Sequence, residues 1–280
     1  MPTRRPSSPA PIVLLTDFGY RDHYAGVMRG VIATIAPGAV VFDLTHGIPP
    51  QSVAAGAIVL AQSWRYFPPR SIFVAVVDPG VGTERRPIAI ETEAGVSFVG
   101  PDNGLLMLAA DAAGFKRAVE LREPRYRLDS VSATFHGRDI FAPAAAHLWR
   151  RVRLTALGPA INSLVRVGPA SDIHQQSDTM HGAIIYIDGF GNLITNFDRG
   201  RVTRLQARFR GHRLLVRIKR GTPIPILAAY GHASPGAALA TFGSFDLLEI
   251  AIRDGNAAEH FHATSGMPVT LKVDSRSSHG

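Results

Sequence analysis

The sequence predicts an α/β protein, with a doubly wound, mostly parallel sheet in its N-terminal domain and a small antiparallel β-barrel in its C-terminal domain. Three observations predict it. Short, continuously apolar, β-branched runs such as IVLL and IFVAVV read as strands covered on both faces. Stretches with helical periodicity lie between them, giving repeated strand, helix, strand units. From about residue 181 the pattern changes to strands and turns, punctuated by Asp and Gly.

Taken in order, PIVLLT (11 to 16) reads as the first buried strand and DHYAGVMRGVIATIAPG (22 to 38) as a helix. Asp22 is placed to cap that helix and Pro37-Gly38 to stop it. AVVFDL (39 to 44) is the next strand, QSVAAGAIVLAQSWRYF (51 to 67) a largely apolar helix, and IFVAVV (72 to 77) the third strand. PIAIE and VSFVG (87 to 91 and 96 to 100) continue the sheet, followed by helices in NGLLMLAADAAG (103 to 114) and APAAAHLWRR (142 to 151). Beyond residue 181, GAIIYIDGFGNLITNF, LLVRI, GAALATF, LLEIAI and PVTLKV read as strands of a barrel without helices. The expected division is a disordered tail at 1–10, an α/β domain at 11–165, a linker at 166–180 and a β-barrel domain at 181–275.

Composition narrows the function classes. At 280 residues, 46% hydrophobic and 19% charged, the chain can bury a substantial core. It has no cysteine, so disulfides, thiolate nucleophiles and cysteine-ligated metal centres are excluded. The apolar run IVLL is too short for a signal segment or a membrane span, which makes a cytoplasmic protein the expectation. The formal charge of +8 is concentrated in RGRVTRLQARFRGHRLLVRIKR (199 to 220), with nine basic residues. These alternate with apolar positions and lack an aromatic platform, so a solvated strand-and-turn face is expected in place of a nucleic-acid surface.

Candidate chemistry gathers where the strands end, which is where ligands bind in open α/β sheets. In VVDPGVGTERR (76 to 86), Asp78 follows the third strand, and a Pro-Gly turn and a second glycine separate it from Arg85. TDFGYRD (16 to 22) places Asp17 and Asp22 after the first strand; PDNG (101 to 104) and TFHGRD (134 to 139) sit at further element ends. Singly, each has an ordinary structural reading: Asp17 as a turn, Asp22 as a cap, PDNG as a turn, His136 as a buried histidine.

The combination is more specific. TDFG, VVDPGVGTERR, PDNGLL, TFHGRDIFAPAAA, IDGFGNLITN and GSFDLLEIAIRDGNAA resemble, in that order, the adenosine-forming S-adenosyl-L-methionine hydrolases, sisters of the fluorinase and chlorinase. The resemblance spans roughly residues 11 to 275. It implies an α/β domain joined to a β-barrel, and a homotrimer with active sites between subunits. It implies Asp78, Arg85 and His136 as the hydrolytic triad. Asp17 then binds the ribose hydroxyls, Asp22 faces the methionine ammonium, Phe190 and Asn192 take the adenine, Asp188 begins the same block, and Ser244 lies near the methionine carboxylate.

The implied reaction is attack of water or hydroxide on ribose C5′, giving adenosine and L-methionine without a metal or other cofactor. Arg85 is expected to stabilise hydroxide character while Asp78 and His136 orient the water and accept its proton. The halogenating sisters differ: an aromatic residue replaces Asp78, the histidine is absent, and a longer loop replaces ETEAG. A carboxylate at Asp78 would repel a halide, so hydrolysis is ranked first. Asp246, in GSFD, is the one departure near the implied methionine contact. Other classes stay open. A metal-dependent nucleotidase or phosphoesterase would draw ligands from Asp17, Asp78, Asp139 and His136; a non-catalytic nucleoside-binding protein would rest on the basic segment.

Overall fold

The computed structural model describes residues 10–166 and 173–274. The expected tail, apart from Ala10, and residues 167–172 of the expected linker lie outside them, as does residue 275 of the expected barrel domain. The chain divides at 167/168 into two compact units, described separately below.

The first unit is built on a seven-stranded sheet in the order β2-β1-β3-β5-β4-β6-β7. Its strands are β1 (Ile12–Thr16), β2 (Val41–Thr45), β3 (Ile72–Val76), β4 (Pro87–Thr92), β5 (Ser97–Pro101), β6 (Phe115–Glu120) and β7 (Ala160–Ile161). Parallel pairing joins β1 to β2, β1 to β3 and β3 to β5. Helices α1 (Tyr24–Ile35) and α4 (Ala142–Trp149) pack together on one face; α2 (Val53–Ser63) and α3 (Met107–Ala112) pack together on the other. Alternation along β1 explains the two covered faces: Ile12 and Leu14 join the core under α1 and α4, while Leu15 lies near Gly56 of α2. Every residue of β1 and β3 is buried, as continuous apolar runs require.

Chain order sets the site. From β1 the chain crosses to β2 on one side, then returns to β3 on the other, so the ends of β1 and β3 border a topological switch point. Register pairs Thr16 with Val76, which brings Asp17 and Asp78 out of the same edge of the sheet.

Several elements differ from the sequence expectation. PIAIE and VSFVG form an antiparallel hairpin, because the few residues between them cannot make the crossover a parallel pair needs. FKRAVE forms β6 although its outer half is polar and gives no buried-strand signal. Helix α1 begins at Tyr24 with His23 at the capping position, so Asp22 is exposed and does not cap it.

The second unit is an eight-stranded antiparallel sheet in the order β12-β11-β15-β9-β10-β14-β13, with β8 also paired to β9. The strands are β8 (His174–Gln176), β9 (Thr179–Ile187), β10 (Leu193–Asp198), β11 (Leu214–Ile218), β12 (Ile224–Pro225), β13 (Ala238–Phe242), β14 (Leu247–Ile252) and β15 (Pro268–Val273). A bridge from Ile226 to Ala240 nearly closes it into a barrel, which removes most of its open edge. Strand β8 and the start of β9 fall inside the span expected to be linker.

This unit also contains helices α5 (Arg199–Arg208) and α6 (Ala257–His260), which the strand-and-turn reading missed. The basic run begins as α5 because Asp198 caps it, accepting from the Arg201 amide at 2.9 Å, and because Val202 and Leu205 share one buried face. Its arginines project from the opposite side of an amphipathic helix. Asp198→Ala should therefore cost about 1 kcal/mol of stability, read as a lower denaturation midpoint at unchanged slope; an unchanged midpoint would contradict the cap.

Candidate active site

At the switch point Asp78 and Arg85 form a bidentate ion pair. Arg85 Nε donates to Asp78 Oδ1 at 3.0 Å, and Nη2 donates to Oδ2. The side chains are 5% and 6% exposed, so water screens the pair little. Nη2 also donates to His136 Nδ1 at 3.0 Å, making Arg85 the bridge between the other two groups. Its guanidinium stands over the Phe141 ring, 5.4 Å from the centroid.

The glycines and the turn explain how residues far apart in sequence meet here. Gly82 has φ +77°, and a methyl group at that position would overlap the Ala133 carbonyl oxygen. The 78 to 85 loop can thus lie against the segment that carries His136. That segment is fixed by Asp139, fully buried in a π-helical turn (Gly137–Phe141) leading into α4. Asp139 accepts from the Ser132 amide at 2.8 Å and from Arg138 Nε at 2.5 Å, while its carbonyl takes the Leu128 amide. Such a turn interrupts α-helical geometry, here beside His136. Asn103 of PDNG ties β5 to the end of β3 by donating to the Val77 carbonyl at 2.9 Å, and Asp102 pairs with Arg86.

Electrostatics assign distinct roles. Burial pushes the Asp78 carboxyl above the ordinary carboxylate range, against the pull of Arg85. Burial, and then the Arg85 charge, push His136 below its ordinary value, with Asp78 opposing. His136 is therefore neutral near pH 7. Guanidinium has donors only, so Nδ1 must accept and the ring's single proton resides on Nε2. In this state Nε2 is a donor toward other groups and Nδ1 is occupied by Arg85, an arrangement that suits orienting a water better than accepting its proton.

A pocket of about 360 Å³ contains Asp17, Asp78 and His136, together with Phe18, Gln51, Thr134 and Phe135. Asp17 Oδ2 accepts from the Gln51 amide at 2.8 Å, and Gln51 is held at φ 61°. Asp22 does not line the pocket. Phe18, Gln51, Thr134 and Phe135 were missed, although Phe18 and Phe135 stand inside the motifs TDFG and TFHG.

In the second unit, Phe190 and Asn192 line a separate pocket with Tyr230, Arg253 and Asp254. Asp188 organises the turn that presents them: Oδ1 accepts from the amides of Phe190 and Asn192, both at 2.9 Å, and Oδ2 from Asn192 Nδ2 at 3.0 Å. Gly191, at φ +81°, lies too close to Asn256 for any side chain. Below Tyr230 its hydroxyl donates to Glu249, whose carboxyl is pushed up by burial and by the charge of Asp188. The sequence signal for that pair was a glutamate inside the apolar strand LLEIAI. Ser244 is exposed in the turn before β14 and does not line this pocket; Asp246 in that turn binds Arg199 Nε at 2.7 Å.

Comparison with known proteins matches residues 12–158 to the SAM hydroxide adenosyltransferase N-terminal domain and residues 182–270 to its C-terminal domain. An (R)-S-adenosyl-L-methionine hydrolase from Thermus thermophilus is 38% identical over 93% of this chain and 99% of its own. Another from Salinispora arenicola is 39% identical over 91% and 95%. A solved structure of an uncharacterised conserved protein from Thermotoga maritima superposes with a TM-score of 0.86 at 33% identity, covering 93% of this chain and 99% of that one.

The His136 environment has a measurable consequence for stability. Its proton is held less tightly in the folded chain than in the unfolded one, where the value is about 6.5. Below that pH the unfolded state binds more protons, so this contribution to stability falls as pH drops. Chemical denaturation at about pH 7.5 and about pH 5.5 should show a smaller pH-dependent loss for His136→Asn than for the parent chain; equal losses would refute the buried, arginine-facing placement.

Proposed function

The chain belongs to the SAM hydroxide adenosyltransferase family, and from that premise we propose that it hydrolyses S-adenosyl-L-methionine to adenosine and L-methionine. Its named relatives act on the (R) form, so the (R) sulfonium epimer is the substrate in this reading. The observation that carries it is the hydrogen-bonded chain from Asp78 through Arg85 to His136, beside a pocket that Asp17 also lines.

The sulfonium leaves C5′ as a neutral thioether, so no acid is needed to protonate it. The nucleophile is the harder part, since unassisted water has a pKa of about 15.7. Asp78 accepts the proton: burial raises its basicity, and after its bonds to Arg85 and to the Gly80 amide one oxygen still keeps a lone pair. His136 donates through Nε2 and orients the water oxygen. Arg85 retains Nη1, buried and without a partner among the described residues, as a donor suited to developing hydroxide. Asp17 takes the ribose diol, and Asp22 the methionine ammonium. Phe190 and Asn192 take adenine, with Asp188 holding their turn, and Ser244 the methionine carboxylate.

The same reading makes the enzyme a homotrimer with active sites between subunits, working in the cytoplasm without a metal or other cofactor. Phe190, 82% exposed, is the kind of apolar ring that a base or a neighbouring subunit covers. Among the described residues no helix is long and apolar enough to cross a membrane. A metal-dependent phosphoesterase gains no support from candidate ligands so engaged: both oxygens of Asp78 face Arg85, and Asp139 is bound by Arg138 and Ser132.

Each sulfonium epimer, incubated with the purified protein and EDTA, provides the test by chromatography. The (R) epimer should give adenosine and methionine in equal amounts, and Asp78→Ala should lower turnover by about 10² to 10⁴. Turnover should also fall as pH drops through the raised pKa of Asp78, because the protonated carboxyl cannot act as base. Undiminished turnover in the variant, or activity abolished by EDTA, would overturn the reading.

A further inference from the structure

A pocket for a sulfonium must favour a positive charge that also alkylates nucleophiles, and its carboxylates do this poorly. Asp78 is already compensated by Arg85, whose own charge repels a cation, and Asp17 is bonded to the Gln51 amide. A carboxylate pressed against C5′ would also compete with water as a nucleophile. An aromatic face has neither drawback, since its quadrupole attracts cations and it offers no lone pair.

Two such rings line the pocket, Phe18 and Phe135. They pack edge to face, with centroids 5.9 Å apart at 76°, and Tyr24 completes the cluster 5.7 Å from Phe18 and 5.2 Å from Phe135. Phe135 already has a cation: Arg138, anchored by Asp139, lies 5.3 Å from its centroid. Among the described residues no protein cation lies over Phe18. Its backbone is fixed as well, the amide donating at 3.1 Å to Thr16 Oγ1, which bonds buried His46. Phe18 directly follows Asp17, the group assigned to the ribose diol, and lines the same pocket as Asp17 and Asp78.

We propose that Phe18 determines specificity by reading the charge on sulfur, selecting an adenosyl sulfonium over neutral adenosyl thioethers of the same shape. This rests on the hydrolytic reading above. The charge disappears as the C–S bond breaks, so the contact is strongest in the bound ground state. It contributes to KM and to selectivity and leaves kcat undiminished when lost.

The experiment replaces Phe18 by Leu, by Tyr and by phenylalanines of increasing ring fluorination, which weaken the quadrupole while nearly preserving shape. It measures KM and kcat for S-adenosyl-L-methionine and the dissociation constant of S-adenosyl-L-homocysteine, the neutral thioether. Phe18→Leu should raise KM roughly 3- to 30-fold with kcat no lower, and leave thioether affinity nearly unchanged. Tyr should behave as Phe, and KM should climb with each fluorine. If both affinities fall together, or neither moves, the inference is wrong. Should Phe18→Leu fail to fold, the fluorinated series decides alone. If the parent chain does not hydrolyse the sulfonium, the hydrolytic reading has failed separately, and dissociation constants for the charged and neutral ligands across the series still decide the role of Phe18.

Discussion

Two opposite charges brought out of water at the end of β3 impose the constraint on which the first unit's active edge depends. Burying either Asp78 or Arg85 alone would leave an uncompensated charge, and losing one partner of a buried pair commonly costs about 3–5 kcal/mol. Each therefore holds the other in place. Arg85 must return from seven residues away in a turn whose glycine presses against the Ala133 backbone, and the 128 to 135 segment must in turn be held by buried Asp139. His136 receives its position and its tautomer from the same guanidinium. Chemistry and local folding are thus one hydrogen-bonded assembly.

Much of that assembly could be read from sequence. A buried strand ending in aspartate, a Pro-Gly turn and a following arginine put Asp78 and Arg85 at a sheet edge, and the order of six motifs supplied His136. What sequence lacked was geometry. The tautomer of His136 depends on which nitrogen faces Arg85, and no residue pattern encodes that. Asp22 looked like a cap because it precedes a helical pattern, but the helix starts after His23. The basic stretch looked like strands because its arginines mask the spacing of Val202 and Leu205, which only burial reveals. Strand β6 was invisible since half of it faces solvent.

The second unit uses its polar residues differently. The Asp188 carboxylate accepts from three donors of its own turn, so it shapes the loop that displays Phe190 and Asn192. Tyr230 lines the same pocket, and its hydroxyl is anchored on buried Glu249. The DGFGN motif announced the turn, whereas Tyr230 comes from a distant segment with no such pattern, and Arg253 and Asp254 stand inside GSFDLLEIAIRDGNAA without a signal of their own.

The clamp on Asp78 also answers a chemical problem that any sulfonium hydrolase faces. A buried carboxylate with raised basicity, near a carbon activated for displacement, would itself be alkylated if it could swing toward that carbon. Arg85 engages both oxygens and fixes the carboxylate plane, which restricts approach of either oxygen to C5′. A proton, in contrast, needs only a lone pair and a bridging water, and one oxygen keeps such a pair beyond Arg85 and the Gly80 amide. In the proposed reaction, bidentate pairing thus suits Asp78 to act as a base while limiting it as a nucleophile. A single-point contact to lysine would neutralise the same charge without fixing the plane, which is the physical reason an arginine is suited to this position.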